Sequence, residues 1–268
     1  MPLSPSDRRT RIADLVGAHA RMSVDDLAGL LSVSRETIRR DLGVLDRRGL
    51  VRKLHGGAVT PDQIADLRGE GPFHARMSEQ TDEKRAIARR AAMLFQPGDT
   101  LFVDAGSTTQ IFAEQLARRP GLTVITNSLA IAQFVARGSG ESAAFLIGGR
   151  YRDDVGENLG PVAIETIANF QAVHAVLTIG GLGLAGAMDH DPDEAAVARA
   201  MIARSQRVTI IADATKFMRD ALLRVCALED IDRLVCDRAP AGALADRLAQ
   251  SDVEVIASTP IAGDKRIG

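Results

Sequence analysis

From about residue 81 onward the chain alternates apolar runs of strand length with segments of helical pattern, and no other feature narrows the fold as far. The apolar runs are Leu101–Val103, Leu122–Ile125, Ala143–Ile147, Val173–Ile179, Val208–Ala212, Arg233–Cys236 and Val253–Ile256. Helical segments at 82–95, 108–118, 129–136, 161–169, 193–205 and 241–250 lie between them. Strands that are apolar throughout are covered on both faces, and a helix between successive strands is the crossover that parallel pairing needs. The fold class expected over 81–258 is therefore α/β, with a mostly parallel sheet. Ligands in such sheets sit beyond the carboxyl ends of the strands, where strand order reverses.

The first sixty residues follow a different pattern. Ile12, Leu15 and Val16 share one helical face. Ser23 is a good N-cap for a short helix burying Leu27, Leu30 and Leu31. Ser32-Val33 then makes a tight turn, Ser34 caps a third helix carrying Ile38, Leu42 and Leu45 inward, and Gly49 ends it. The stretch Leu50–Val59 reads as two short strands around a turn. Helix, helix, turn, helix and hairpin is the order of a winged helix-turn-helix, here assigned to 1–60. Polar and breaker residues (Thr60-Pro61-Asp62, Gly69-Glu70-Gly71-Pro72) open a linker assigned to 61–80. The first sixty residues hold eleven Lys and Arg against seven Asp and Glu, the remainder 22 against 28. A basic end on an acidic body suits a polyanion-binding module joined to something else.

Within that basic end, Ser34-Arg35-Glu36-Thr37-Ile38-Arg39-Arg40-Asp41-Leu42 carries the most information. With Ile38, Leu42 and Leu45 turned to the core, Arg35, Glu36, Thr37, Arg39 and Arg40 are left on exposed faces. A helix that reads the major groove needs short polar and Arg side chains near its N-terminus to reach base edges, and others to grip phosphates. Arg52, Lys53 and His55 on the hairpin are placed to contact the DNA backbone or the minor groove. A small bundle with a solvated charged face is the plainer alternative. Helix order, turn length and the basic hairpin together weigh against it.

Polar residues also gather at the ends of the apolar strands. Asp104-Ala105-Gly106-Ser107-Thr108-Thr109 lies between a strand and a helix, where Gly106 permits a tight turn and the hydroxyls stand beside free helix-start amides. That chemistry suits a phosphate, although an ordinary helix cap would look the same. Thr126-Asn127 and Gly148-Gly149-Arg150 end the next two strands. Arg150 offers a bidentate grip on an anion, or else is solvated beside a glycine turn. Asp213 and Lys216 follow a later strand, with Lys216 a point charge for phosphate and Asp213 its holder or a hydroxyl acceptor; a structural ion pair is the alternative.

Composition rules out several classes. Hydrophobic residues at 46% and charged residues at 25% are the proportions of a soluble globular protein. No apolar run approaches the roughly 20 residues that span a bilayer, and Met1–Arg9 lacks the apolar stretch of a secretory signal, so a cytoplasmic protein without membrane contact is expected. Cys226 and Cys236 sit among apolar residues and read as buried free thiols. The five His are scattered, so no metal, no cofactor and no catalytic Cys/His set is expected.

The segment Val24–Leu42, with Val33-Ser34 and Thr37-Ile38-Arg39-Arg40-Asp41-Leu42, followed by His55-Gly56-Gly57-Ala58, closely resembles the DeoR (deoxyribose-operon-repressor) family, and the resemblance runs on to about Asp237. It implies an operon regulator, usually a repressor, released from double-stranded operator DNA by a phosphorylated sugar intermediate. It also implies a sensor domain similar in fold to ribose-5-phosphate isomerase, with Asp104, Gly106, Ser107, Thr108, Thr109, Thr126, Asn127, Gly148, Gly149, Asp213 and Lys216 lining the cleft. The tract Gly186–Asp191 with Asp193-Glu194, and Tyr151-Arg152, look most like the glycerol-3-phosphate regulon repressors; Asp189, Asp191 and Glu194 suit a solvated helix start equally well. Where many members have an Asp-Gly pair this chain has Leu182-Gly183, which puts the usual recognition of sugar hydroxyls in doubt. A homodimer or homotetramer is expected, because one short recognition helix reads few bases. Two rivals stay open: a sugar-phosphate isomerase with a DNA-binding extension, and a regulator without a small ligand.

Overall fold

In the computed structural model, which describes residues 4–19, 21–47, 50–54, 57–59 and 71–258, the chain divides into two units, Met1–Arg68 and Gly69–Gly268. The first contains α1 (Pro5–His19), β1 (Arg21–Ser23), α2 (Val24–Leu31), α3 (Arg35–Arg47), β2 (Arg52–Leu54) and β3 (Gly57–Val59). Ile12 and Val16 of α1, Leu27 of α2 and Ile38, Leu42 and Leu45 of α3 form its buried core. Ser23 caps α2, accepting from the Asp26 amide at 3.0 Å. The chain leaves α2 through Ser32, which takes the left-handed conformation (φ 50°) and donates its amide to the Ala28 and Gly29 carbonyls.

Two expectations change here. Leu30 is 62% exposed, because the inward stripe of α2 runs through Val24, Leu27 and Leu31, and Leu30 falls off it. The hairpin also gains a third strand: β3 pairs antiparallel with both β1 and β2. Gly57 is what lets β3 lie against β1, since a Cβ there would meet the Met22 carbonyl oxygen at 2.4 Å. Gly49, His55 and Gly56 lie outside the described residues.

Asp41 fastens α3 to α1. Its carboxylate is buried and accepts from Arg8 Nε at 2.6 Å and Arg9 Nε at 2.8 Å. Charge-assisted hydrogen bonds of this kind stabilise by more than neutral ones. Asp41→Ala should therefore lower the local stability of the unit by about 2–3 kcal/mol. Amide exchange in α1 and α3 of the full chain would then speed up by roughly 30- to 150-fold; unchanged exchange would mean the two ion pairs contribute nothing.

The second unit begins with α4 (Phe73–Ser78) and α5 (Thr81–Ala92). It continues through β4 (Thr100–Val103), α6 (Ser107–Leu116), β5 (Thr123–Thr126), α7 (Leu129–Arg137) and β6 (Ala143–Leu146). After the hairpin β7 (Arg150–Arg152) and β8 (Glu157–Leu159) come α8 (Pro161–Ala168), β9 (Ala172–Leu177), β10 (Gly181–Gly183) and β11 (Gly186–Asp189). The chain closes with α9 (Pro192–Ala203), β12 (Ser205–Ile211), β13 (Leu223–Cys226), β14 (Arg233–Cys236), α10 (Ala243–Gln250) and β15 (Glu254–Ala257).

Each of the seven apolar runs became a strand of one parallel sheet, in the order β15-β14-β12-β9-β4-β5-β6. Both faces are covered because alternate residues pack oppositely. Leu101, Val103, Val124 and Val176 meet α5, α6 and α7, whereas Phe102, Ile125, Ala175 and Leu177 meet α8, α9 and α10. From β4 the chain steps outward to β5 and β6, and from β9 it steps the other way to β12, β14 and β15. The switch point thus lies between β4 and β9.

Sequence periodicity did not anticipate α4, the β7–β8 hairpin or the small antiparallel sheet β10-β11-β13. Their strands are three or four residues long, too short for a period to register. Helix α4 lies in the stretch read as linker, and it packs against α6, with Met77 touching the core beneath. Cys226 and Cys236 are buried free thiols, as expected, and burial pushes them up to about 11 and about 12. Among the described residues no helix is long and apolar enough to cross a membrane.

Candidate functional site

A small polar cavity opens at the switch point. Its walls include Asp104 after β4, Asn127 after β5, Thr178 and Ile179 after β9, Glu157 of β8, Asp189 of β11, Glu194 of α9 and Arg76 of α4. The Thr178 amide donates to both Asp104 carboxylate oxygens, at 3.1 and 3.0 Å. Asn127 Nδ2 donates to Glu157 Oε2 at 3.1 Å, while the buried Asn127 Oδ1 accepts no hydrogen bond. An unpaired buried acceptor costs stability unless a donor arrives to fill it.

Burial raises the carboxyl pKa of Asp104, Glu157 and Asp189; for Asp104 the rise is large, and the charges of Asp189 and Glu157 add to it. Arg152 of β7 offsets part of this. It is paired with Glu157, Glu194 and, at 2.7 Å, Asp191. Burial lowers the Arg76 guanidinium, against the opposing pull of Asp189 and Glu157.

The structure sorts the residues predicted from sequence. Asp104 and Asn127 line the cavity, and Thr126 is buried behind it, accepting from the Ser128 amide. Ser107, Thr108 and Thr109 form the buried first turn of α6, where the N-cap Gly106 provides no side-chain cap. Gly106 matters for a reason other than the expected turn. Its φ of 172° is extended backbone, but a Cβ would stand 2.1 Å from Thr178 Cγ2.

The other predicted residues do not line this cavity. Gly149 has φ +146° and sits so close that a Cβ would come within 2.7 Å of the Leu159 carbonyl oxygen, while Gly148 borders open space; the pair shapes the turn into β7. Arg150 is exposed and bonded to Asp193 at 2.6 Å. Asp213 caps a single 3-10 turn, accepting from the Thr215 amide at 3.0 Å, and the lysine its charge favours is Lys84. Burial, aided by the charge of Arg219, brings Lys216 down to about 8. A larger open groove of about 670 Å³ between α6 and α7 contains none of the predicted residues.

Arg76, Glu157 and Thr178 escaped the sequence reading, since each stands in a stretch without motif character. Asp189 and Glu194 had been seen only as one of two alternatives; both reach the cavity, whereas Asp191 caps α9. Leu182 is fully buried in the core of the unit. The carboxylate missing at that position has a counterpart in Asp189 on the neighbouring strand β11.

In the first unit, Ser34 caps α3, accepting from the Thr37 amide at 3.1 Å. Arg35, Glu36, Arg39 and Arg40 project from α3 and are all more than half exposed. Glu36 pairs with both Arg39 and Arg40, at 3.8 and 3.4 Å, and Arg35 pairs with Asp25 at 2.5 Å. Exposed pairs like these are weak and exchange readily for phosphate or base partners. Arg52 and Lys53 lie on β2, and His55 lies outside the described residues.

Comparison with known proteins decides what this pairing of units is. The DeoR-like helix-turn-helix domain matches residues 8–64, and the DeoR C terminal sensor domain matches residues 79–238. The chain belongs to the DeoR family. It is similar to the HTH-type transcriptional repressor CsqR of Escherichia coli (strain K12), with 32% identity over 95% of this chain and 96% of that one. It is also similar to the glycerol-3-phosphate regulon repressor of Escherichia coli (strain K12), with 31% identity over 89% of this chain and 93% of that one. Among solved structures it is similar to ribose 5-phosphate isomerase A from Neisseria gonorrhoeae, at 14% identity and a TM-score of 0.36, over 50% of this chain and 52% of that one. This DeoR-family protein is a DNA-binding transcriptional repressor with an effector-sensing domain, and the isomerase alternative falls. Its sheet-and-helix sensor is the α/β unit described above, and its winged helix-turn-helix is the basic one.

Proposed function

We propose that this cytoplasmic DeoR-family repressor controls an operon for catabolism of a carbohydrate or polyol, and that a phosphorylated metabolite relieves repression, glycerol 3-phosphate being the favoured effector. The observation that carries the reading is the first turn of α6: buried, without a side-chain cap, at the strand-order switch, beside the unfilled Asn127 acceptor. Helix-start amides hold a phosphate. Asn127 Oδ1 and the neighbouring carboxylates accept from ligand hydroxyls. Lys216 supplies the cation that offsets the phosphate charge. Residues 1–60 bind the operator through α3 and the hairpin, 61–80 connect, and 81–258 sense. The repressor acts as a homodimer or homotetramer, so that two or more recognition helices engage one operator.

A thermal-shift screen of glycerol 3-phosphate and phosphorylated sugars tests this directly. A compound that binds only the folded protein raises its melting temperature, by linkage. At least one phosphorylated compound should do so while its unphosphorylated parent does not. If none does, the effector reading is wrong and a regulator without a small ligand takes its place.

A further inference from the structure

The cavity at the switch point is shut. It measures about 20 Å³, room for about one water, against the several hundred Å³ of ordinary small-molecule sites. No phosphorylated metabolite enters unless a wall moves. Most walls are strand ends or the packed helix α9. The exception is Arg76, carried by the six-residue helix α4. That helix has no side-chain cap and no fully buried residue. It is also the first element after residues 60–70, the stretch that follows the winged helix.

What holds α4 down is polar. Lys84 of α5, itself buried, donates its ammonium to the Arg76 carbonyl. The Arg76 guanidinium lies over the Phe73 ring at 5.4 Å and shares the cavity with Asp189 and Glu157. The attraction of those carboxylates for a guanidinium in a poorly solvated site is much stronger than it would be at the surface.

We propose that α4 is a lid over the effector cavity and Arg76 its latch: in the empty protein Arg76 is held by Asp189 and Glu157, and effector entry displaces it and frees α4. This rests on the proposed effector site, and it gives that site a route to the DNA-binding unit through the chain segment α4 terminates. The closed lid lowers apparent effector affinity by the fraction of open molecules, so weakening the latch raises that affinity.

The test uses hydrogen exchange and effector titration on the full chain. In the parent without effector, amides of 73–78 should exchange slowly, and Arg76→Gln should speed them at least fivefold with the rest of the sensor unchanged. Added glycerol 3-phosphate, or whichever screened compound binds, should speed the same amides in the parent. Arg76→Gln should also lower the effector concentration for half-maximal operator release at least threefold. Weaker effector binding in Arg76→Gln would make Arg76 an effector contact instead of a latch and overturn the proposal; so would unchanged exchange in the empty variant. Should the variant fold poorly, the parent's response decides: slower or unchanged exchange of 73–78 on effector binding overturns the lid. If no compound binds the parent, the effector reading fails, while exchange in the empty Arg76→Gln protein still reports on the latch separately.

Discussion

Lys216→Ala should raise the dissociation constant for the phosphorylated effector by a factor of roughly 30 to 1,000, about 2–4 kcal/mol, as when the charged partner of a desolvated group is removed. Operator binding without effector should persist, giving a repressor that no longer responds to inducer. The parent should also show a pH signature. Lys216 titrates at about 8 in the free protein, and a bound phosphate holds it protonated. Affinity should therefore be flat below about pH 8, where the free protein already carries the charge, and should fall by up to tenfold per pH unit above it. The phosphate contributes no slope there, since its second ionisation is complete well above about pH 6. Isothermal titration from pH 7 to 9 on parent and variant measures both effects. Affinity in Lys216→Ala equal to the parent's, or the same slope in both, would move the phosphate away from Lys216.

The second large effect lies on the recognition helix. Arg39→Ala and Arg40→Ala should each weaken operator binding and leave effector affinity unchanged, because both side chains project from α3 opposite the buried Ile38 and Leu42. A base-reading Arg costs roughly 1–3 kcal/mol and relaxes one operator position; a phosphate-gripping Arg weakens all sequences alike and reduces the salt slope by about 1. Mobility shifts across a salt series distinguish the two. Parent-like binding by both variants would remove α3 from the DNA interface.

These expectations draw on sequence and structure unequally. The seven strands were legible because residues such as Leu101, Phe102 and Val103 are apolar in succession, which only a doubly covered strand requires. The α3 face was legible because Ile38, Leu42 and Leu45 fix a helical period and leave the arginines opposite. The cavity was only half legible. Asp104 and Asn127 end strands, a position with a rule attached, but Arg76, Glu157 and Asp189 reach the same space from α4, β8 and β11, and nothing local to those segments encodes their meeting. Leu30 misled because a Leu-rich run in a short helix does not say which leucine lies off the stripe. Gly106 was correctly singled out for an incorrect reason: the constraint is Thr178, seventy residues away and invisible to any local pattern.

Reciprocal coupling between effector and operator is the heart of the account, and a ligand changes DNA affinity only by as much as it discriminates between the two conformations. The decisive measurement is fluorescence anisotropy of full-length protein on an operator isolated by in vitro selection, titrated with and without saturating glycerol 3-phosphate or whichever phosphorylated compound raises the melting temperature. The account predicts an operator dissociation constant raised by about 5- to 150-fold with effector present, the range of ordinary allosteric coupling. An operator affinity that stays the same while the compound is demonstrably bound would contradict it.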